Sequence, residues 1–160
     1  MRVVLAIAVA ASACTGAIDS GMPGTGDDGP SETAKPVDIE GPAVLPHVQH
    51  LADLVCGTFD ACTISTYEGH QPVAARAIDI LVSDVYGKVP TDDNMLGNAV
   101  ADFALAHQVP SGITYVIWQQ RINFGSGWQL MEDRGGITAN HYDHVHVSFG
   151  AAAGGSPNAC

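Results

Sequence analysis

The chain has 160 residues, with 17 acidic and 6 basic side chains and a formal net charge of −11 at pH 7. Nucleic acid is not expected as a partner, because phosphate binding needs a basic surface. The residues from Val37 onward are enough for one domain with a hydrophobic core.

The N-terminal residues MRVVLAIAVAASAC have the pattern of an export signal. One arginine precedes a short apolar run and several small residues, which is too short for a membrane-spanning helix and typical of a secretory signal. The residues ASAC resemble a bacterial lipoprotein cleavage box, so we expect a signal peptide at 1–13 and a lipidated Cys14. The protein would then be exported and anchored in the bacterial cell envelope by its acyl chains. The alternative is an ordinary signal peptide cleaved near Ala13, which would give a secreted protein.

A flexible tether is predicted for residues 14–36. Its large apolar side chains are only Ile18 and Met22, among many Gly, Pro, Asp, Ser and Thr residues. Such a composition cannot bury enough surface to offset the entropy lost on ordering. The folded domain is therefore expected at 37–152, with a tail at 153–160.

Hydrophobic periodicity predicts a series of helices and strands in the domain. Helices are predicted at 46–59 and 94–107. Strands are predicted at 62–66, 75–83, 112–119 and 142–149, with a loop or irregular hairpin at 125–136. This order predicts an α+β fold with a mostly antiparallel sheet and helices packed on one side.

Three cysteines lie within or after the predicted domain. Disulfides persist in exported proteins. Cys56 and Cys62 are close enough in sequence to close a small loop, and we favour this pairing. Cys160 could instead tie the C-terminus to one of them.

The stretch HYDHVHVSF, residues 141–149, places three histidines within six positions. Because side chains alternate along a strand, His144, His146 and Ser148 should share one face. Asp79 interrupts the apolar run ARAIDILV, and a buried carboxylate must pair, protonate or bind a metal. If the two strands are neighbours, Asp79 meets His146, and His70 in the preceding loop completes the cluster.

Two imidazoles and one carboxylate are a suitable ligand set for Zn²⁺, with a fourth position open for water. The metal would lower the pKa of that water to about 7 and polarise a carbonyl, as amide hydrolysis requires. His144 would lie beside the metal as a general base or as a stabiliser of the oxyanion.

A histidine, an Ala-x-Asp strand and a terminal His-x-His strand together resemble the LAS-type metallopeptidases. These include lysostaphin-like endopeptidases, D-Ala-D-Ala carboxypeptidases and dipeptidases, the murein endopeptidase MepA and the zinc domain of hedgehog proteins. The stretches RAIDILV, GITYVIWQQRI and DRGGITANHYDHVHVSF look most like a secreted domain of actinobacteria and some fungi. The resemblance covers roughly residues 45–150.

The resemblance implies a hedgehog- or D-Ala-D-Ala-peptidase-like fold. It implies that His70, Asp79 and His146 are metal ligands and that His144 is catalytic. His70 precedes Asp79 by nine residues, two more than is usual in these peptidases. The Glu-x-x-His signature of the carboxypeptidase branch is absent, which assigns the role of base to His144.

Other residues are candidates for supporting roles. His141 is a candidate for orienting a ligand or contacting substrate. Arg76 and Arg121 could each bind a substrate carboxylate, and Trp128 could form a wall of the cleft. Asp143 is expected to be a solvated carboxylate at the end of a strand.

These patterns predict a zinc-dependent, peptidase-like domain at the cell surface that hydrolyses amide bonds in peptides. Peptidoglycan as the substrate follows from the resemblance alone. One alternative is an inactive binding module, with or without metal, for cell-wall fragments or a protein partner. Another is a metal-free cluster of hydrogen-bonded histidines.

Overall fold

The computed structural model describes residues 35–152. The predicted signal peptide, lipidation at Cys14, most of the tether and the tail fall outside these residues and stay predictions. Within residues 35–152, no helix is both long enough and apolar enough to cross a membrane.

A single mixed sheet organises the described residues. Its seven strands lie in the order β1-β2-β3-β7-β4-β5-β6, and every neighbouring pair except β1 and β2 is antiparallel. The strands are β1 (Ile39–Glu40), β2 (Ile64–Ser65), β3 (Ala77–Leu81), β4 (Ile113–Trp118), β5 (Arg121–Asn123), β6 (Trp128–Leu130) and β7 (His144–Phe149). The strand that comes last in the sequence therefore lies at the centre of the sheet.

Three α-helices pack against this sheet, and together with it they confirm the predicted α+β fold with a mostly antiparallel sheet. They are α1 (Pro46–Phe59), α2 (Met95–Ala106) and α3 (Gln108–Ser111). Helix α1 has the predicted bounds. Pro46 opens it, where a fixed φ and a missing N–H are tolerated, and Asp60 ends it in the left-handed region at φ 58°.

The hydrophobic core lies between the helices and one face of the central strands. The apolar residues of β7, namely Val145, Val147 and Phe149, are fully buried and belong to the same cluster as the buried side chains of α1 and α2. Alternation along β7 therefore sends these residues to the helices and the histidines to the opposite face.

Helix α2 approaches β4 closely at one glycine. A Cβ added to Gly97 would overlap the indole ring of Trp118. The indole Nε1 donates a hydrogen bond to Asn98 Oδ1 at 2.9 Å. Only glycine fits between the helix backbone and this fully packed ring.

Several elements differ from the sequence prediction. Strand β3 is shorter than the predicted 75–83, because residues Ala74–Arg76 form a 3₁₀ turn. The predicted strand at 62–66 is reduced to β2. The region predicted as a loop or irregular hairpin contains β6, which pairs with the unpredicted β5. Strand β1 and helix α3 were also not predicted, because two to four residues are too few for a periodic signal.

Cys56 and Cys62 form a disulfide. The bond joins the last turns of α1 to the segment that leads into β2. It fits an extracellular protein, because disulfides persist in oxidising compartments.

Candidate metal centre

The site begins with two residues on neighbouring strands. Asp79 on β3 is the direct register partner of His146 on β7. Asp79 Oδ1 lies 2.8 Å from His146 Nδ1. His70, in the loop before β3, brings its Nε2 to 3.2 Å from Asp79 Oδ1 and 2.9 Å from His146 Nδ1. All three side chains are buried, and one ligand atom from each lies within 4.8 Å of the others.

Thr66 determines which ring nitrogen of a neutral His70 carries the hydrogen. The threonine hydroxyl donates its only proton to the carbonyl of Ala74 at 2.9 Å, because a carbonyl can only accept. The same Oγ1 lies 3.0 Å from His70 Nδ1 and must therefore accept a proton from it. A neutral His70 thus carries its hydrogen on Nδ1 and turns the lone pair of Nε2 toward Asp79.

Ser148 fixes His146 in the same way. Its hydroxyl donates to the carbonyl of Gln71 at 3.1 Å, so it accepts from His146 Nε2 at 2.9 Å. A neutral His146 therefore turns the lone pair of Nδ1 toward Asp79 and His70. Outer hydrogen bonds that set the tautomer of a histidine are typical of metal sites.

When both imidazoles are neutral, three acceptor atoms therefore face one point with no proton between them. Burial raises the pKa of Asp79, but the hydrogen bonds that His146 and His70 donate when they are protonated lower it more, so the carboxylate is ionised. Burial lowers the pKa of His146, more than Asp79 raises it, so this imidazole is neutral near pH 7. A cation at this point would relieve the repulsion, and the set of two nitrogens and one oxygen fits a transition-metal ion.

His144 lies beside this cluster and is oriented by Asp143. His144 Nδ1 is 2.6 Å from Asp143 Oδ1, while the backbone N–H of Gly87 and the hydroxyl of Thr138 donate to Asp143 Oδ2. Burial raises the pKa of Asp143, but these hydrogen bonds lower it more, so the group is a carboxylate. This carboxylate accepts the Nδ1 hydrogen of His144. In the neutral ring the lone pair is then on Nε2, which lies 3.6 Å from Asp79 Oδ1.

The expectation that Asp143 is a solvated carboxylate was wrong. The residue is fully buried, because β7 begins only at His144 and strand alternation does not apply to the residue before it. The sequence did contain a signal for this role of Asp143. An aspartate directly precedes the candidate catalytic histidine, and a carboxylate is the usual partner that orients an imidazole.

A pocket of about 600 Å³ opens onto the site. Three tyrosines line this pocket and contact the histidine rings. None of them was a candidate in the sequence analysis. The pairs are Tyr67 with His70, Tyr115 with His146, and Tyr86 with His144, at centroid separations of 4.3, 5.7 and 5.7 Å. These rings hold the imidazoles in place and give the pocket planar walls.

His141 also lines the pocket. Its ring centroid lies 4.7 Å from that of His144 and 5.6 Å from that of His146. Burial, together with the positive charge that His144 and His146 carry when protonated, lowers the pKa of His141 to about 3. Its Nδ1 is buried and has no hydrogen-bond partner among residues 35–152.

The other three candidates do not line this pocket. Trp128 packs against the hydrophobic core, with the guanidinium of Arg121 at 5.3 Å from its ring centroid. Arg121 also donates a hydrogen bond to Gln119 Oε1 at 3.1 Å. Arg76 closes the 3₁₀ turn before β3.

Comparisons with known proteins give one family and one relative. The family model described as "VldE, C-terminal domain" matches residues 40–142, which is more than half of the chain and includes His70 and Asp79 but not His144 and His146. A protein named "Uncharacterized secreted protein" from Arthroderma benhamiae is 36% identical over 59 residues, covering 32% of this chain and 24% of the relative. The match thus spans about a quarter of that relative's own length. No solved structure matches the chain.

Proposed function

We propose that this chain, which belongs to the VldE C-terminal domain family, is a metal-dependent hydrolase of amide bonds in peptides. The observation that carries the proposal is the convergence of three lone pairs, from His70 Nε2, Asp79 Oδ1 and His146 Nδ1. Thr66 and Ser148 impose this arrangement through hydrogen bonds that leave no donor at the centre.

Zn²⁺ is the metal that this ligand set suits best. Two neutral imidazoles and one carboxylate are a ligand set of hydrolytic zinc sites, which keep a further position open. When bound, the metal would acidify water and polarise a carbonyl group. His70 and His146 would hold it as neutral ligands, and Asp79 would supply negative charge.

His144 supplies the proton transfer. Its Nε2 carries a lone pair, and the ring lines the pocket. It accepts a proton from a water molecule that attacks a substrate carbonyl, and it later returns the proton to the leaving amine. Asp143 stabilises the imidazolium that forms between these steps, because its buried carboxylate holds the Nδ1 hydrogen.

A peptide substrate is supported by the pocket and by the sequence resemblance to LAS-type peptidases. The cavity of about 600 Å³ is within the usual range for small-molecule and short-peptide sites. Cell-wall peptide as the natural substrate, like the lipid anchor in a bacterial envelope, rests on sequence resemblance. Secretion is supported by the name of the fungal relative and by the disulfide.

A binding module is the second candidate. The three tyrosines that cover the histidine rings give contact surface for a ligand without any reacting group. In that case the domain would bind peptides or cell-wall fragments and leave them intact, with or without metal.

Metal content and hydrolysis together test the proposal. We expect the purified domain to bind one equivalent of zinc. His146→Ala should abolish this binding, whereas the exposed helix residue His50 can be changed to Ala without loss. Incubation with muropeptides should release new amines, a chelator should stop the release, and zinc should restore it. Zinc content below one tenth of an equivalent, or content indifferent to His146→Ala, would refute the proposal. Intact muropeptides that raise the melting temperature would favour the binding module.

A further inference from the structure

One cation lines the pocket beside the histidines. Arg134 is the single arginine or lysine among the lining residues. Every ion pair among residues 35–152 joins a histidine to an aspartate, so Arg134 has no acidic partner there. In a chain with 17 acidic residues and 6 basic ones, an arginine at a pocket with no neutralising carboxylate among residues 35–152 is available for a ligand.

The backbone around Arg134 is fixed. Its N–H donates to Asn140 Oδ1 at 2.8 Å, and Asn140 Nδ2 donates to Asp133 Oδ1 at 2.6 Å. The N–H of Gly135 donates to the same aspartate oxygen at 2.8 Å. Asn140 is buried, so it ties this loop to the domain. The guanidinium is exposed, but its point of attachment is held in place.

Arg134 and His141 line the same pocket. His141 Nδ1 is buried without a partner. The pocket lining therefore contains both a cation and a polar ring that lacks a hydrogen-bond partner among the described residues.

We propose that Arg134, together with His141 in the same pocket lining, forms a subsite for a carboxylate of the substrate. This inference rests on the proposed function, and it narrows the substrate class to peptides that present a carboxylate to this pocket. An arginine fork matches a carboxylate through two parallel hydrogen bonds. A dianionic phosphate usually takes more than one cation, and Arg134 is the one cation lining the pocket.

The carboxylate can come from the peptide C-terminus or from an acidic side chain. The probes are N-acetyl-trialanine as the free acid and as the C-terminal amide, each in all-L and all-D forms. A second pair carries Glu or Gln at the centre of the amidated peptide. Affinities are measured by titration calorimetry with metal-free and with zinc-loaded protein.

We expect at least one acid to bind about tenfold more tightly than its matched neutral peptide, because hydrogen bonds to charged groups contribute this much. Arg134→Gln should remove the preference, and Arg134→Lys should keep part of it because the charge remains without the fork. Arg121→Gln makes the same charge change outside the pocket and should leave the preference intact. A preference for the free acid over the C-terminal amide would identify a terminal carboxylate. A preference for the Glu peptide over the Gln peptide would identify a side-chain carboxylate.

The inference is overturned if no acid is preferred over its neutral partner, or if Arg134→Gln keeps the preference. A preference that depends on zinc and not on Arg134 would assign the carboxylate to the metal. A different result would refute the proposed function. If the protein binds no zinc but still prefers the acid in an Arg134-dependent way, the carboxylate subsite is supported and the metal-dependent hydrolase is rejected.

Discussion

The Nδ1 of His144 lies 2.6 Å from Oδ1 of Asp143, the residue that immediately precedes it. The second oxygen of the same carboxylate accepts hydrogen bonds from Gly87 and Thr138. The two oxygens of Asp143 therefore have different partners. Oδ2 binds Gly87 and Thr138, and Oδ1 sets the tautomer of His144.

Asp143→Asn should reverse the tautomer of His144. Gly87 and Thr138 both donate to Oδ2, so the amide oxygen must occupy that position and the amide NH₂ must face His144. The ring would then carry its hydrogen on Nε2 and could not act as a base. We expect hydrolysis to fall by at least about 100-fold while zinc content stays at the wild-type level. Nitrogen NMR shifts of the ring report the tautomer directly.

Asp53→Asn is the matched control for that substitution, because Asp53 accepts hydrogen bonds on helix α1 and does not line the pocket. Activity near the wild-type level in Asp143→Asn, with Nδ1 still protonated, would contradict the assigned role of Asp143.

Removing the hydroxyls behind the ligands should weaken metal binding without removing a ligand. Thr66→Val and Ser148→Ala each free an imidazole to adopt the wrong tautomer. Partners of this kind typically contribute 10- to 100-fold in metal affinity. Competition with a zinc chelator measures the change, and Ser111→Ala serves as the control because that buried serine lies in α3. Equal zinc affinity in all three variants would show that the hydroxyls do not set the tautomers.

At low pH the protein should lose the contribution that the Asp143 carboxylate makes to the free energy of unfolding. Because its folded pKa is lowered, the carboxylate stabilises the fold fully above the unfolded value of about 3.9. This contribution is lost as the pH falls through the folded pKa. The gap in melting temperature between metal-free wild type and Asp143→Asn should therefore narrow as the pH falls below about 3.9. A gap that stays constant to pH 2.5 would exclude this linkage.

Two glycines in helices should respond in opposite ways to alanine. Gly97→Ala places a methyl group against the indole ring of Trp118, and overpacking of this kind costs about 1–3 kcal/mol. Gly57→Ala in α1 meets nothing within 4 Å and should stabilise by up to about 1 kcal/mol through helix propensity. Urea unfolding of both variants measures the two effects. Equal changes would show that the helix does not approach β4 this closely.

The sequence was most informative where the signal is periodic and long. Helix α1 has the predicted bounds, and the α+β class follows from the order of the elements. Alternation along β7 was enough to place His144 and His146 on one face, and the isolated charge of Asp79 was enough to identify it as their candidate partner. The direct pairing of Asp79 with His146 could be stated only as a condition, because alternation gives the face of a strand and not its neighbour in the sheet.

The missed features depend on contacts between distant parts of the chain. Tyr67, Tyr86 and Tyr115 come from separate segments and carry no motif. Arg134 stands in a loop with no periodicity, while the more visible Arg76 and Arg121 lie outside the pocket lining. Asp143 was misjudged because a strand was assumed to include it. The left-handed φ of 56° at His141 marks instead a turn that ends just before the strand.

The order of synthesis has a consequence for this sheet. Strand β7 separates β3 from β4, so a ribosome must complete residues 144–149 before the two halves can join. A nascent chain that ends before residue 144 contains His70 and Asp79, but it lacks the strand that pairs with both β3 and β4. Native topology therefore requires that β7 has been synthesised and has left the ribosomal exit tunnel, and the same holds for a site that includes His146.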